Sequence, residues 1–258
     1  MWFQVEDRGL VRWIIFDRPE RKNAVPIDGW EPLRAAFEDF AQSAARVLVV
    51  TGRGGDFCAG ADLDPSGVSL MAGVGDRHRR MKLVGETATA LHRLTKPTIA
   101  AVDGVAVGAG MNLALGCDLV IATTRARFSE IFVRRGLTVD FGGTWLLPRV
   151  VGLQRAKELA LSGRMVEGEE ALRIGLAVRV VEPDRLAAAA EEAAQELLRG
   201  APLAQMFAKQ GIDHAWDVSF EDALSWEGQS QAICFATEDV AEGIGAFIDK
   251  RLPQWKGK

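Results

Sequence analysis

The chain has 258 residues, 48% hydrophobic and 26% charged, with a formal net charge of −4. This suits one globular domain with a large core, excludes a disordered chain, and offers no basic stripe for nucleic acid. Cys58, Cys117 and Cys234 are odd in number and lack metal-ligand spacing, which predicts a reducing compartment without a disulfide framework.

The charged N-terminus shows no signal peptide. The longest uncharged run, residues 104–117, is shorter than the roughly 18–20 residues a membrane span needs. The expectation is a cytoplasmic protein with no membrane partner. Residues 3–6 and 11–16 flank Asp7-Arg8-Gly9, a turn signal, and predict a β-hairpin. Residues 17–24 form a polar loop, where the adjacent Arg21 and Lys22 suit either a phosphate or a solvated face. Pro26 is expected to open a helix with Trp30, Leu33, Phe37 and Phe40 on one core face.

Residues 46–51 read as a buried β-branched strand that runs into the glycine-rich turn 52–63. That turn lacks the Gly-Lys-Ser/Thr ending of a phosphate-binding loop. Small residues at 58–61 leave its backbone uncovered, so the Ala61 N–H either faces a ligand or belongs to an ordinary connection. Residues 65–75 read as a mobile loop. Residues 77–94 read as an amphipathic helix with Met81, Val84, Leu91 and Leu94 inward.

Thr98–Val102 predicts a buried strand, followed by Gly104, Gly108 and Gly110 and a helix start over 111–115. Glycines at a strand-to-helix turn allow φ > 0 and close approach, and the first helical N–H groups have no partner inside the helix. Such a turn holds an oxyanion with backbone alone, or is simply a tight turn in a buried α/β core. Residues 118–122 predict a further strand, and 128–137 is mixed. Asp140 stands just before a helix, the place of an N-cap. Helices are expected over 152–162 and 167–174, with a last strand over 178–181.

From Asp184, expected as a helix cap, the pattern is all-helical: 184–198, 202–216, 220–236 and 237–248. The reading is therefore an α/β core over 1–183 and a helical region over 184–258. Trp216, Phe220, Leu224, Trp226, Ile233 and Phe235 need a partner surface, for which self-association is the natural source. His78, His92 and His214 have no convincing ligand partners, so no metal is expected.

Residues 17–24, 57–63, 102–118, 136–149 and 247–255 together resemble the crotonase (enoyl-CoA hydratase/isomerase) superfamily, over essentially the whole chain. The resemblance implies a crotonase-like ββα spiral with a C-terminal helical trimerisation region, assembled as a homotrimer or dimer of trimers. It implies an acyl-CoA thioester as ligand and no cofactor beyond the coenzyme A of the substrate. The N–H groups of Ala61 and Ala109 match the family's oxyanion-hole positions. Arg21, Lys22, Ala24, Ala59, Asp62 and Leu63 match the region around the CoA adenine and phosphates. Phe247, Lys250 and Trp255 match the terminal segment near the CoA site, often a neighbour's.

By the same resemblance, the two positions that carry carboxylates in hydratases hold Asn112 and Phe132. Giving Glu130 the second role shifts the register by two residues, and residues 136–144 then no longer fit. Asp140 matches a third position, where isomerases use Asp to move protons and aryl-CoA dehalogenases use it as nucleophile. The expected activity is double-bond isomerisation with Asp140 as proton shuttle. Asn112, Gly108, Phe132 and Phe141 would line the acyl site, with Phe132 excluding water. The alternatives are a hydratase or ring-modifying enzyme of the same family, and a non-catalytic acyl-CoA-binding scaffold.

Overall fold

The computed structural model describes residues 1–63 and 73–258. Most of the loop expected over 65–75 lies outside these. In chain order, β1 (Phe3–Arg8), β2 (Val11–Phe16), α1 (Trp30–Gln42), β3 (Val47–Gly52), α2 (Val74–His92) and β4 (Thr98–Val102) come first. The middle of the chain forms β5 (Val105–Val107), α3 (Ala109–Leu115), β6 (Leu119–Thr123), β7 (Arg127–Ser129), α4 (Gly143–Val151) and α5 (Leu153–Ser162). It continues with β8 (Val166–Glu167), α6 (Gly168–Ile174) and β9 (Arg179–Val181). The helices α7 (Leu186–Leu198), α8 (Pro202–His214), α9 (Phe220–Phe235) and α10 (Glu238–Ile248) complete it.

Among the described residues, a six-stranded sheet runs β1-β2-β3-β4-β6-β9, parallel except for the β1–β2 hairpin. A second, three-stranded sheet runs β5-β7-β8. Alternate residues of a strand point to opposite faces, and here both faces are apolar. Ile14 and Phe16 of β2, Leu48 and Val50 of β3, and Ala100 and Val102 of β4 join the main core with α1 and α3. Trp13, Val49, Ile99 and Ala101 face the other way and meet Leu186, Ala189, Ala190 and Ala194 of α7. The first helix after residue 183 therefore covers the large sheet, and the sheet's core extends to that helix.

Several local expectations change. Pro26 does not open α1; it begins a turn in which the Gly29 N–H donates to the Pro26 oxygen (2.8 Å), and the helix starts at Trp30. Trp30, Leu33, Phe37 and Phe40 are buried as expected, each such side chain contributing about 1.5–3 kcal/mol. Met81 is exposed, because nothing among the described residues covers that turn of α2. Thr87 takes an inward place instead and donates to the Trp30 oxygen (3.0 Å). Asp184 does not cap α7: it lies in a 3-10 turn, Pro183–Arg185, and α7 begins after it with no side-chain cap.

No helix among the described residues is long and apolar enough to cross a membrane. Trp216, Phe220, Leu224, Trp226, Ile233 and Phe235 on the C-terminal helices and their connections are exposed in the single chain.

Candidate active site

The two glycine-rich turns meet face to face. The Cys58 N–H donates to the Val105 oxygen (2.9 Å) and the Val107 N–H to the Cys58 oxygen (3.1 Å), so residues 57–58 run beside β5. Gly110 packs on that segment: a Cβ there would lie 2.8 Å from the Cys58 carbonyl carbon and collide with its oxygen. Gly60, at φ +84°, lies so close to the second turn that a Cβ would meet the Val107 oxygen at 2.8 Å and the Ala109 nitrogen at 3.4 Å. Gly108 reaches α3 at φ +56°, ψ −130°, a conformation that only glycine adopts without strain.

These close approaches set the 60–61 and 108–109 peptides side by side. The Gly108 N–H is spent on the Ser129 oxygen (2.8 Å). Ala109 is the first residue of α3, where an N–H has no intrahelical acceptor. Among the described residues neither the Ala61 nor the Ala109 N–H donates a hydrogen bond. Two neighbouring unspent donors on rigid turns are what an oxyanion requires.

A buried polar cluster lies one turn along α3. Asn112 is fully buried, and its Nδ2 donates to the Asp140 carbonyl oxygen (2.9 Å) and to Glu130 Oε2 (3.4 Å). Gly143, at the start of α4, lies directly against the Asn112 amide, so closely that a Cβ would overlap it. Asn112 thus pins the Asp140 segment to α3.

Asp140 is not the N-cap of α4. Gly142, in the left-handed region, holds that place, and the Gly143 N–H takes the main-chain oxygen of Asp140 (3.0 Å). Phe141 also has positive φ (50°), so two left-handed residues turn the chain between the carboxyl and the helix. Asp140 Oδ1 is left buried without a hydrogen-bond partner, and burial pushes its pKa up to about 6. Phe132 is buried against Gly108, 3.5 Å from where a Cβ would be. Phe141 turns its ring to Trp30 (centroids 5.6 Å apart) in the main core.

Glu130 is the residue that motif alignment set aside and the fold brings in. It is fully buried, with Oε1 lacking any partner. Burial pushes its pKa up to about 7, against the hydrogen bond from Asn112 and with the nearby Asp140 charge raising it further. One signal was available: continuing the alternation of β7 past Phe128 puts residue 130 on the same inward side.

The residues matched to CoA recognition gather along one edge. The Val25 N–H donates to the Gly60 oxygen (2.8 Å), the Asp62 N–H to the Val25 oxygen (2.8 Å) and the Ala59 N–H to the Lys22 oxygen (3.0 Å). Asn23 locks this pairing by donating to the Asp56 (2.6 Å) and Arg53 (2.9 Å) oxygens. Asp62 accepts from Arg21 (2.6 Å) and Arg18 (2.7 Å), and Arg21 foremost holds its carboxyl below the usual range. Lys22 and Leu63 are exposed, whereas Ala24 is buried.

The terminal residues stand apart from this edge within one chain. Phe247 is 86% exposed, and Trp255 is tied to its own chain by donating to the Arg199 oxygen (2.7 Å). Lys250, at φ +55°, forms no ion pair among the described residues. His92 packs edge-on against Trp145, centroids 5.1 Å apart, and no group of three or more metal-ligating side chains occurs among the described residues.

The enoyl-CoA hydratase/isomerase family matches residues 6–258. A short-chain-enoyl-CoA hydratase of Clostridium acetobutylicum is 35% identical over 96% of this chain and 94% of its own. A 1,2-epoxyphenylacetyl-CoA isomerase of Escherichia coli is 37% identical over 96% of this chain and 95% of its own. The crystal structure of an enoyl-CoA hydratase from Bacillus anthracis superposes with a TM-score of 0.95 at 31% identity, covering all of both chains.

Proposed function

Because the chain belongs to the enoyl-CoA hydratase/isomerase family, we propose that it moves a double bond in an acyl-CoA thioester, with Asp140 as the proton carrier. The observation that carries this reading is Asp140 itself. Its carboxyl is buried and unpaired on one oxygen, while the two hydratase positions hold Asn112 and Phe132, which cannot transfer a proton as a carboxylate does.

The thioester oxygen sits between the Ala61 and Ala109 N–H groups. When a proton leaves C2, negative charge moves to that oxygen, and each preorganised donor contributes about 3–4 kcal/mol to the transition state. Asp140 breaks the C2–H bond, the electron pair spreads over the dienolate, and Asp140 returns a proton at C4. The double bond moves from C3–C4 to C2–C3 with no net change in atoms. Phe132 keeps bulk water from the intermediate. Asn112 keeps Oδ1 as its one free acceptor, having spent Nδ2 on positioning the Asp140 and Glu130 segments.

Hydration is the second reading, favoured by one observation: Glu130 puts another carboxyl beside Asn112. Relatives named hydratase and isomerase both match this chain at similar identity. Turnover of a panel of acyl-CoA thioesters separates the readings: 3-enoyl-CoA substrates should be converted fastest, and fastest turnover of a 2-enoyl-CoA to its 3-hydroxy product would favour hydration.

For the CoA portion, Arg21 and Lys22 meet the phosphates, and Ala24, Ala59, Asp62 and Leu63 flank the adenine. An acyl-CoA should raise the melting temperature where the free acid does not, and at about 100 times its dissociation constant it stabilises by about 2.7 kcal/mol. Equal shifts from the free acid would remove the role of this edge. The acyl-CoA is the only cofactor-like group the reading needs.

The chain should assemble as a trimer or dimer of trimers, because the exposed aromatic and aliphatic side chains beyond α7 exceed what a monomer leaves wet. Phe247 and Lys250 would then cover a neighbour's CoA site. Sedimentation at micromolar concentration should show three or six chains; a stable monomer would contradict both statements.

A further inference from the structure

The buried cluster around Asn112 holds more than the proposed reaction uses. Glu130 has no exposed surface and no cationic partner among the described residues. Among the described residues its one side-chain hydrogen bond is the long contact from Asn112 Nδ2 (3.4 Å). An isolated buried carboxylate is costly, whereas a neutral, hydrogen-bonded carboxyl costs far less. A neutral carboxyl has an O–H to donate, and Asn112 Oδ1 and Asp140 Oδ1 are the two cluster acceptors still without a donor.

We propose that Glu130 is a positioning residue that stays neutral and, through Asn112, leaves Asp140 as the single charged carboxyl of the pocket. The proposal rests on the reading of Asp140 as proton carrier. It differs from a second acid–base role because Glu130 holds its proton throughout turnover.

The surroundings of Glu130 support this. From α3 the neutral amide of Asn112 faces it, and from the segment before α4 the Asp140 carboxyl does. On its own turn, Arg134 is exposed and donates to the Ser162 oxygen (2.8 Å), and Arg135 is exposed as well. Just past α5, Gly163 approaches only the main-chain oxygen of Glu130, while Glu158 of α5 is engaged with Arg164 (2.6 Å). Two like-charged carboxyls in one buried site do not both ionise readily, so the pair titrates as a unit. Asp140, which keeps some exposed surface, is charged first; Glu130, which has none, keeps the remaining proton. When that proton leaves, a second anion stands beside a reaction that already builds negative charge on the thioester oxygen, and the transition state rises.

The test is the pH profile of 3-enoyl-CoA turnover for wild type, E130Q and D140N, with circular dichroism as the check on folding. Wild type should be bell-shaped, falling at least about tenfold from its maximum by about pH 9. E130Q, which carries an uncharged donor of the same shape, should keep the acid limb and fall less than about twofold at that pH. An unchanged alkaline limb in E130Q overturns the proposal. So does loss of activity at every pH in folded E130Q, because Glu130 would then transfer protons itself.

Full activity in D140N sinks the Asp140 reading, a failure that E130Q is not needed to see. If E130Q does not fold, infrared titration of the unmodified protein decides. A protonated carboxyl persisting at neutral pH supports the proposal; its absence overturns it.

Discussion

Asp140→Asn is expected to lower turnover by about 100-fold or more while leaving acyl-CoA binding near normal. The substitution keeps the shape of the side chain, and the contact that fixes the segment is to the main-chain oxygen of Asp140, from Asn112 Nδ2. The packing of the Phe141 ring against Trp30 is equally untouched. What is lost is a buried carboxyl, raised to about 6 by desolvation, that accepts a proton near neutral pH and gives it back. Binding by calorimetry and turnover by product analysis separate the two effects. Unchanged turnover in D140N together with loss in E130Q would move the chemistry to Glu130 and favour hydration.

Gly110→Ala is expected to cost about 100- to 1,000-fold in turnover, by displacing the oxyanion donors without touching their identity. Gly110 does not have positive φ, so alanine brings no backbone strain of its own. Its Cβ would strike the Cys58 carbonyl group, which is backbone and is tied to Val107 (3.1 Å). To admit the methyl group, residues 57–61 must move away from α3, which separates Ala61 from Ala109. A misplacement of about 1 Å is enough to lose 100-fold. Turnover within twofold of wild type would mean that the two peptides do not act together on the thioester oxygen.

Much of this was visible in the sequence because it depends on short-range rules. The runs in β2, β3 and β4 carry apolar residues on both faces, which fits strands covered on both sides. The glycines at 60, 108 and 110 mark backbone that must come close to backbone, and the two turns do meet there. Asp140 stands where the sequence offers both an N-cap and a catalytic carboxylate, and of these the cap role fails because Gly142 holds that place. The left-handed conformations of Phe141 and Gly142, which detach its carboxyl from α4, leave no pattern that one sequence reveals.

Glu130 was set aside because motif register assigns Phe132 to the hydratase position. Whether a neighbouring carboxyl turns inward depends on how β7 runs into the following 3-10 turn, Ile131–Arg135, and on the reach of Asn112 from another helix. The long-range pairing of residues 22–25 with 59–62 is likewise a property of the fold. The apolar faces beyond α7 were legible as side chains in need of a partner, and they are exposed in the single chain.

The most direct measurement of the central claim is the product formed from a 3-enoyl-CoA in deuterated water, followed by mass spectrometry and NMR. The account predicts the conjugated 2-enoyl-CoA, appearing faster than any 3-hydroxyacyl-CoA and abolished in D140N. Accumulation of 3-hydroxyacyl-CoA as the main product, or conjugated product formed at an unchanged rate by D140N, would contradict it.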